Sequence, residues 1–166
     1  TIDKNGYEST KQLVSESGLA DRIEIKFEDV SDPLPYSEEA FDYIYARLVL
    51  HYLPKEKLNH AVRGLYRVTK NNGRIFVVVR SVDSDEAKQS DNVYDPETCM
   101  TTYANNDGNT ARRYFHTKES ITNVLEAHGW VIENTKQYDE MLNIAYDRSD
   151  AWVKNNVIEV LAIKRY

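Results

Sequence analysis

Two stretches of this chain carry side chains able to move a proton or hold an anion: Leu50-His51-Tyr52-Leu53 and Arg112-Arg113-Tyr114-Phe115-His116. An imidazole titrates near neutral pH, so His51 and His116 are candidate catalytic groups, with His51 as a general base for a hydroxyl or amine. A packed or capping histidine is the alternative reading of His51. Paired guanidinium groups among aromatics, Arg112 and Arg113 beside Tyr114, would clamp an anionic ligand. A solvated basic cluster is the equal alternative. Other chemistries lack their residues. The histidines at 51, 60, 116 and 128 show no ligand spacing such as i, i+4, and Cys99 stands alone, so no metal site is expected. The acidic run Asp83-Ser84-Asp85-Glu86 has no calcium-loop glycine and reads as solvated loop. There is no Gly-x-Ser-x-Gly nucleophile motif. The six glycines (6, 18, 64, 73, 108, 129) never form the Gly-x-Gly of a phosphate or cofactor loop.

The elements that must position these groups belong to one domain over 1–166, since 166 residues suffice for a single sizeable core. A net charge of -6 weighs against a nucleic-acid partner, which wants concentrated basic surface. No apolar run approaches the ~20 residues that span a bilayer, so no membrane partner is expected. One cysteine permits no internal disulfide and fits a reducing, cytoplasmic setting. Twelve Tyr against four Phe fits partly exposed aromatic packing, or a partly polar cleft.

Residues 9–17 read as a helix with a thin apolar face, Leu13 and Val14, ended by Gly18. Residues 23–30 alternate Ile23, Ile25 and Phe27 with charges, a strand pattern. A loop broken by Pro33 and Pro35 leads to a second strand at 41–46. Pro54 opens a helix over 55–69, with Leu58, Ala61, Val62, Leu65 and Tyr66 on one face. A turn at Asn71-Asn72-Gly73 precedes the strand RIFVVVR, 74–80, buried on both faces. Residues 81–116 have no sustained period, which in a compact domain points to function or to small hidden elements. Thr117 caps a helix ended by Gly129. Strands follow at 130–138 and 157–166, with an ambiguous, helix-like stretch at 139–153. Strands alternating with helices make this an α/β chain, whose ligands bind at the carboxyl ends of the strands.

Several motifs, in order along the chain, resemble the class I S-adenosylmethionine-dependent methyltransferases, of the type 11-like kind. They are Phe41-Asp42, Leu50-His51-Tyr52-Leu53, and Arg67-Val68-Thr69-Lys70-Asn71-Asn72-Gly73, where two Asn replace the family's Pro-Gly pair. Upstream, Glu28-Asp29-Val30-Ser31-Asp32-Pro33-Leu34-Pro35-Tyr36 looks like the acidic residue and Leu-Pro-Phe segment after the family's third strand. The resemblance implies a Rossmann-like sheet, mostly parallel with an antiparallel final strand and helices on both faces. It implies that S-adenosyl-L-methionine is the cofactor and that a small molecule accepts the methyl group. Asp3 would hold the ribose hydroxyls, Asp29 and the Val30 amide the adenine, and Ala46 and Arg47 the methionine end. Asp29 could instead be a turn cap, Asp3 an exposed terminal residue, and Arg47 a surface ion pair. The 81–116 insert would face the substrate. The resemblance also implies that the N-terminal strand, the glycine-rich loop and the first helix are missing from these residues. Exposed sheet edges would then favour a homo-oligomer. The alternative function is a non-catalytic binding or assembly module that kept the fold and lost the cofactor loop.

Overall fold

A computed structural model of the chain describes residues 4–104, 109–143 and 152–165. Its main sheet has four strands in the order β1 (Phe41–Arg47), β2 (Thr69–Arg80), β7 (Trp152–Lys164), β6 (Trp130–Asn143). β1 and β2 are parallel, and β7 runs against both of its neighbours. The expected antiparallel final strand is therefore present, and the other three strands point one way. The unpaired side of β1 forms one edge of the sheet among the described residues.

Helices α2 (Lys55–Val68) and α3 (Lys118–Ala127) supply the core with their apolar faces. Leu58, Ala61, Val62 and Leu65 recur at helical spacing in α2 and are buried against Ile75, Val77 and Val79 of β2 and Ile158, Val160 and Ala162 of β7. Each fully buried aliphatic side chain is worth roughly 1.5–3 kcal/mol, so this layer dominates stability. Tyr43 and Tyr45 on the opposite face of β1 stay 51% and 64% exposed. Helix α1 (Lys4–Glu16) buries no residue, and its Tyr7 meets Phe27 edge-on at 5.7 Å. No helix among the described residues is long and apolar enough to cross a membrane.

Helix α3 starts where Thr117 implies. Thr117 Oγ1 accepts the Ser120 N–H at 3.0 Å, and Ser120 Oγ accepts the Thr117 N–H at 3.0 Å. Two orphan donors of the first turn are thereby satisfied. Thr117→Ala should cost about 1 kcal/mol of unfolding free energy in urea titration. A cost near zero would show the cap to be redundant.

Four expectations need correction. Residues 23–30 alternate like a strand but join neither sheet. No neighbouring strand among the described residues offers them a ladder, and Ile23 and Phe27 remain exposed. The first helix begins at Lys4, five residues before the expected start. The Asn71-Asn72-Gly73 turn lies inside β2 as an irregularity. Phe41 pairs with Thr69 and Tyr43 with Arg74, and Asn72 has φ 62. Residues 139–143 extend β6 rather than forming a helix, and 152–156 belong to β7.

The 81–116 segment holds a 3-10 turn, Asp85–Lys88, and a small antiparallel sheet, β3 (Val93–Asp95), β4 (Met100–Ala104) and β5 (Thr110–Arg113). It folds back onto the exit of β1. The Lys55 N–H donates to the Thr98 carbonyl at 2.9 Å, and the Tyr114 N–H to the His51 carbonyl at 2.8 Å.

Candidate functional site at the strand ends

β1 leaves the sheet through Leu48, which has φ 54, and turns into a short 3-10 helix, Leu50–Tyr52. The turn drops His51 beside the last residue of β2. His51 is 1% exposed, and its Nδ1 accepts the Arg80 backbone N–H at 3.2 Å. Burial, helped by the nearby Arg113 and Arg80 charges, pushes its pKa well below the ordinary histidine value. The imidazole is neutral, and an accepting Nδ1 leaves its proton on Nε2. That Nε2 is buried and has no hydrogen-bond partner among the described residues. His51 thus offers a donor. The lone pair that a general base needs is occupied by the Arg80 N–H.

His116 is fully buried where the chain enters α3. Its N–H donates to the Arg80 carbonyl at 2.9 Å, so it lies beside the end of β2 as well. Burial lowers its pKa to about 3. Nδ1 lies 3.1 Å from Ser120 Oγ, whose hydroxyl donates to the Thr117 carbonyl at 3.0 Å. Nδ1 is then the donor and Nε2 keeps a lone pair, buried and without a partner among the described residues. Tyr114 stacks on this ring with centroids 4.0 Å apart, and burial pushes its phenol up to about 12.

Arg113 closes the group from β5. Its Nη1 donates to both Glu86 oxygens at 3.0 Å, and its guanidinium lies 5.3 Å from the Tyr52 ring centre and 5.4 Å from that of Tyr103. Arg80 reaches the same carboxylate, Nη1 to Oε2, at 3.7 Å. That is an ion-pair distance, too long for a hydrogen bond. Tyr103 is 2% exposed, its hydroxyl has no hydrogen-bond partner among the described residues, and burial raises it to about 12.

The structure therefore brings together four of the expected residues: His51, His116, Arg113 and Tyr114. Arg80, Glu86 and Tyr103 were missed. Arg80 reads as the polar end of RIFVVVR, and Glu86 is hidden in an acidic run. The available signal for Arg80 was a cation directly after three valines, at the carboxyl end of a buried strand. Arg112 points elsewhere: it is exposed and lies 3.7 Å from Asp95.

The residues expected around a cofactor have other partners. Asp29 Oδ1 accepts the Ser31 N–H at 2.9 Å and the Ser31 hydroxyl at 2.8 Å, which hold its carboxyl below the ordinary range. This is the turn-cap geometry. Asp29 Oδ2 lies 3.8 Å from Lys57 Nζ. Val30 packs against the core and, with Leu34, Phe41 and Ile44, lines an open cavity of about 510 Å³ beside β1. Ala46 is buried in the core, and Arg47 forms an ion pair with Glu140 of β6. Asp3 lies outside the described residues.

Residues 1–77 match the model of a family described as a methyltransferase domain. No curated protein sequence matches the chain. Solved structures do. A Pyrococcus horikoshii protein is 12% identical, with TM-score 0.73, over 99% of this chain and 69% of its own. An S-adenosylmethionine-dependent methyltransferase of Methanosarcina mazei is 16% identical, with TM-score 0.68, over 99% and 79%. The 1,6-didemethyltoxoflavin-N1-methyltransferase of Burkholderia thailandensis, solved with bound 1,6-didemethyltoxoflavin and S-adenosylhomocysteine, is 16% identical, with TM-score 0.59, over 95% and 56%. At these identities the likeness establishes the fold.

Proposed function

We propose that this chain, which has the Rossmann-like fold of the class I methyltransferases, serves methyl transfer from S-adenosylmethionine to a small-molecule acceptor held beneath residues 81–116. The observation that carries the reading is the buried polar cluster around His51 and Arg80. It stands at the carboxyl ends of β1 and β2, where such sheets bind their ligands. When bound, the cofactor supplies an activated methyl group on a sulfonium, so the protein's task is alignment and exclusion of water.

The residues present fit part of that task. Asp29 keeps Oδ2 clear of the Ser31 bonds, so it can accept from the adenine amine with the Val30 amide beside it. Ala46 and Arg47 end β1 beside the methionine portion, and Asp3 is assigned to the ribose. His51 Nε2–H and the His116 Nε2 lone pair point to one donor and one acceptor for orienting the acceptor molecule. Arg113 and Tyr114 form its substrate-side wall. The glycine-rich loop is not supplied by these residues, which contain no Gly-x-Gly. A strand leading into that loop would pair with the open edge of β1.

Calorimetric titration of the complete gene product with S-adenosylmethionine tests the reading. Micromolar-range affinity, about -8 kcal/mol, is expected. Asp29→Ala should weaken it about tenfold, roughly 1.4 kcal/mol. No binding would overturn the proposal. It would leave the second reading, a non-catalytic binding or assembly module.

A further inference from the structure

The cluster beneath residues 81–116 is unbalanced in charge. Two guanidinium groups, Arg80 and Arg113, face one carboxylate, Glu86. Three guanidinium nitrogens stay buried without a hydrogen-bond partner among the described residues: Nε and Nη1 of Arg80, and Nε of Arg113. Near Arg113, the Tyr103 hydroxyl likewise has no partner among the described residues. A native interior leaves few such donors unmet, and a buried cation without full pairing is costly. These donors therefore point to a ligand that carries oxygen acceptors and negative charge.

The burial is graded. The side chain of Arg80 is 8% exposed, that of Arg113 13% and that of Glu86 24%. Glu86 is thus the outermost member and closes the way to the arginines. It rides on the 3-10 turn Asp85–Lys88, which belongs to neither sheet. Its carboxylate is planar, with both oxygens on Arg113 Nη1. A carboxylate that swings outward regains water, so vacating this seat strands no charge of its own.

We propose that the Arg80–Arg113 pair is a carboxylate-binding subsite for the methyl acceptor, and that Glu86 holds the ligand's place until it arrives. The acceptor is then a small carboxylic acid whose oxygens take the seat of Glu86 on Arg113 and engage the free donors of Arg80 and Tyr103. Phosphate esters share the negative charge, but the present occupant is a planar carboxylate. The inference rests on the methyltransferase reading only in calling this ligand the acceptor.

The test titrates the complete gene product, without S-adenosylmethionine, with benzoate, benzamide and phenyl phosphate at constant ionic strength. Benzoate should bind, and Glu86→Gln should tighten it at least tenfold because the internal competitor is gone. Benzamide should not bind either form, and phenyl phosphate should bind no tighter than benzoate. Arg113→Lys, which keeps the charge and the stem, should weaken benzoate at least tenfold while the thermal transition stays cooperative. Equal benzoate affinity with and without Glu86 overturns the proposal, as does binding of benzamide. Preference for phenyl phosphate overturns the carboxylate assignment. Benzoate binding in a protein without cofactor affinity would refute methyl transfer and leave the subsite standing.

Discussion

Unfolding free energy should fall between pH 8 and pH 5 by about 2 kcal/mol from buried His116, with His51 and the partly buried His128 adding in the same direction. Burial holds His116 at about 3, so it stays neutral in the folded chain across this window, and holds His51 well below its ordinary value. In the unfolded chain each takes up a proton below pH ~6.5. The unfolded state then binds more protons than the native state, so stability falls as pH falls. The slope approaches about 1.4 kcal/mol per pH unit for each histidine. Their stabilisation is fully present above ~6.5 and is lost progressively toward the folded pKa. Carboxylates such as Asp29 and Asp95 sit low in the folded chain and titrate mainly below the window. Urea titrations at pH 8, 6.5 and 5 measure the loss. His116→Asn, whose amide can keep the bond to Ser120, should remove the His116 share, up to about 1.4 kcal/mol per pH unit, whatever it does to stability at pH 8. An unchanged slope would assign the acid sensitivity to other groups.

The same burial explains why the histidines were only half legible. Leu50-His51-Tyr52-Leu53 marks the strand exit because its residue types recur in a known motif. Its text does not say which imidazole nitrogen is free. That depends on the Arg80 N–H, which approaches from a strand 29 residues away in sequence. Glu86 was hidden for a similar reason. An acidic run looks solvated until one member meets Arg113, 27 residues on.

Periodicity performed best where one residue pattern implied one partner. In the apolar run of β2, Ile75, Val77 and Val79 on one face are 0% exposed, and on the other face Val78 is buried and Phe76 half-buried. It failed at 23–30, because alternation reports two faces and not whether a neighbouring strand is there to pair. It also stopped short on β6 and β7. Gln137, Asp139, Lys154 and Asn156 continue the ladder beyond the core through polar cross-strand contacts. Polar residues on a paired hairpin resemble loop residues until the pairing is known.

Trp130→Ala should destabilise the fold by about 4 kcal/mol, the largest loss expected from one side chain. Trp130 is 2% exposed and opens β6 directly after the turn at Gly129. Its ring meets Tyr66 of α2 edge-to-face, with centroids 5.3 Å apart and planes at 88°. Tyr66 cannot easily move to fill the space. Lys164 Nζ lies 4.7 Å from its ring centre and donates to the Tyr66 and Thr69 carbonyls at 3.1 and 2.8 Å. On another side lies Gly129, with φ 94, so near that a Cβ there would lie 3.0 Å from the Tyr66 ring. A site held this firmly relaxes little, so the cavity term should be near its full size. The indole Nε1–H is buried without a hydrogen-bond partner among the described residues, so it contributes no bond to lose. Trp130→Phe, which keeps most of the ring and removes that orphan donor, should therefore cost only about 1 kcal/mol. Urea titration at pH 8 separates the two substitutions. A Trp130→Ala loss below ~1.5 kcal/mol would mean that α2 and β6 can close the gap, and that the Tyr66 contact is not what fixes β6 against the helices.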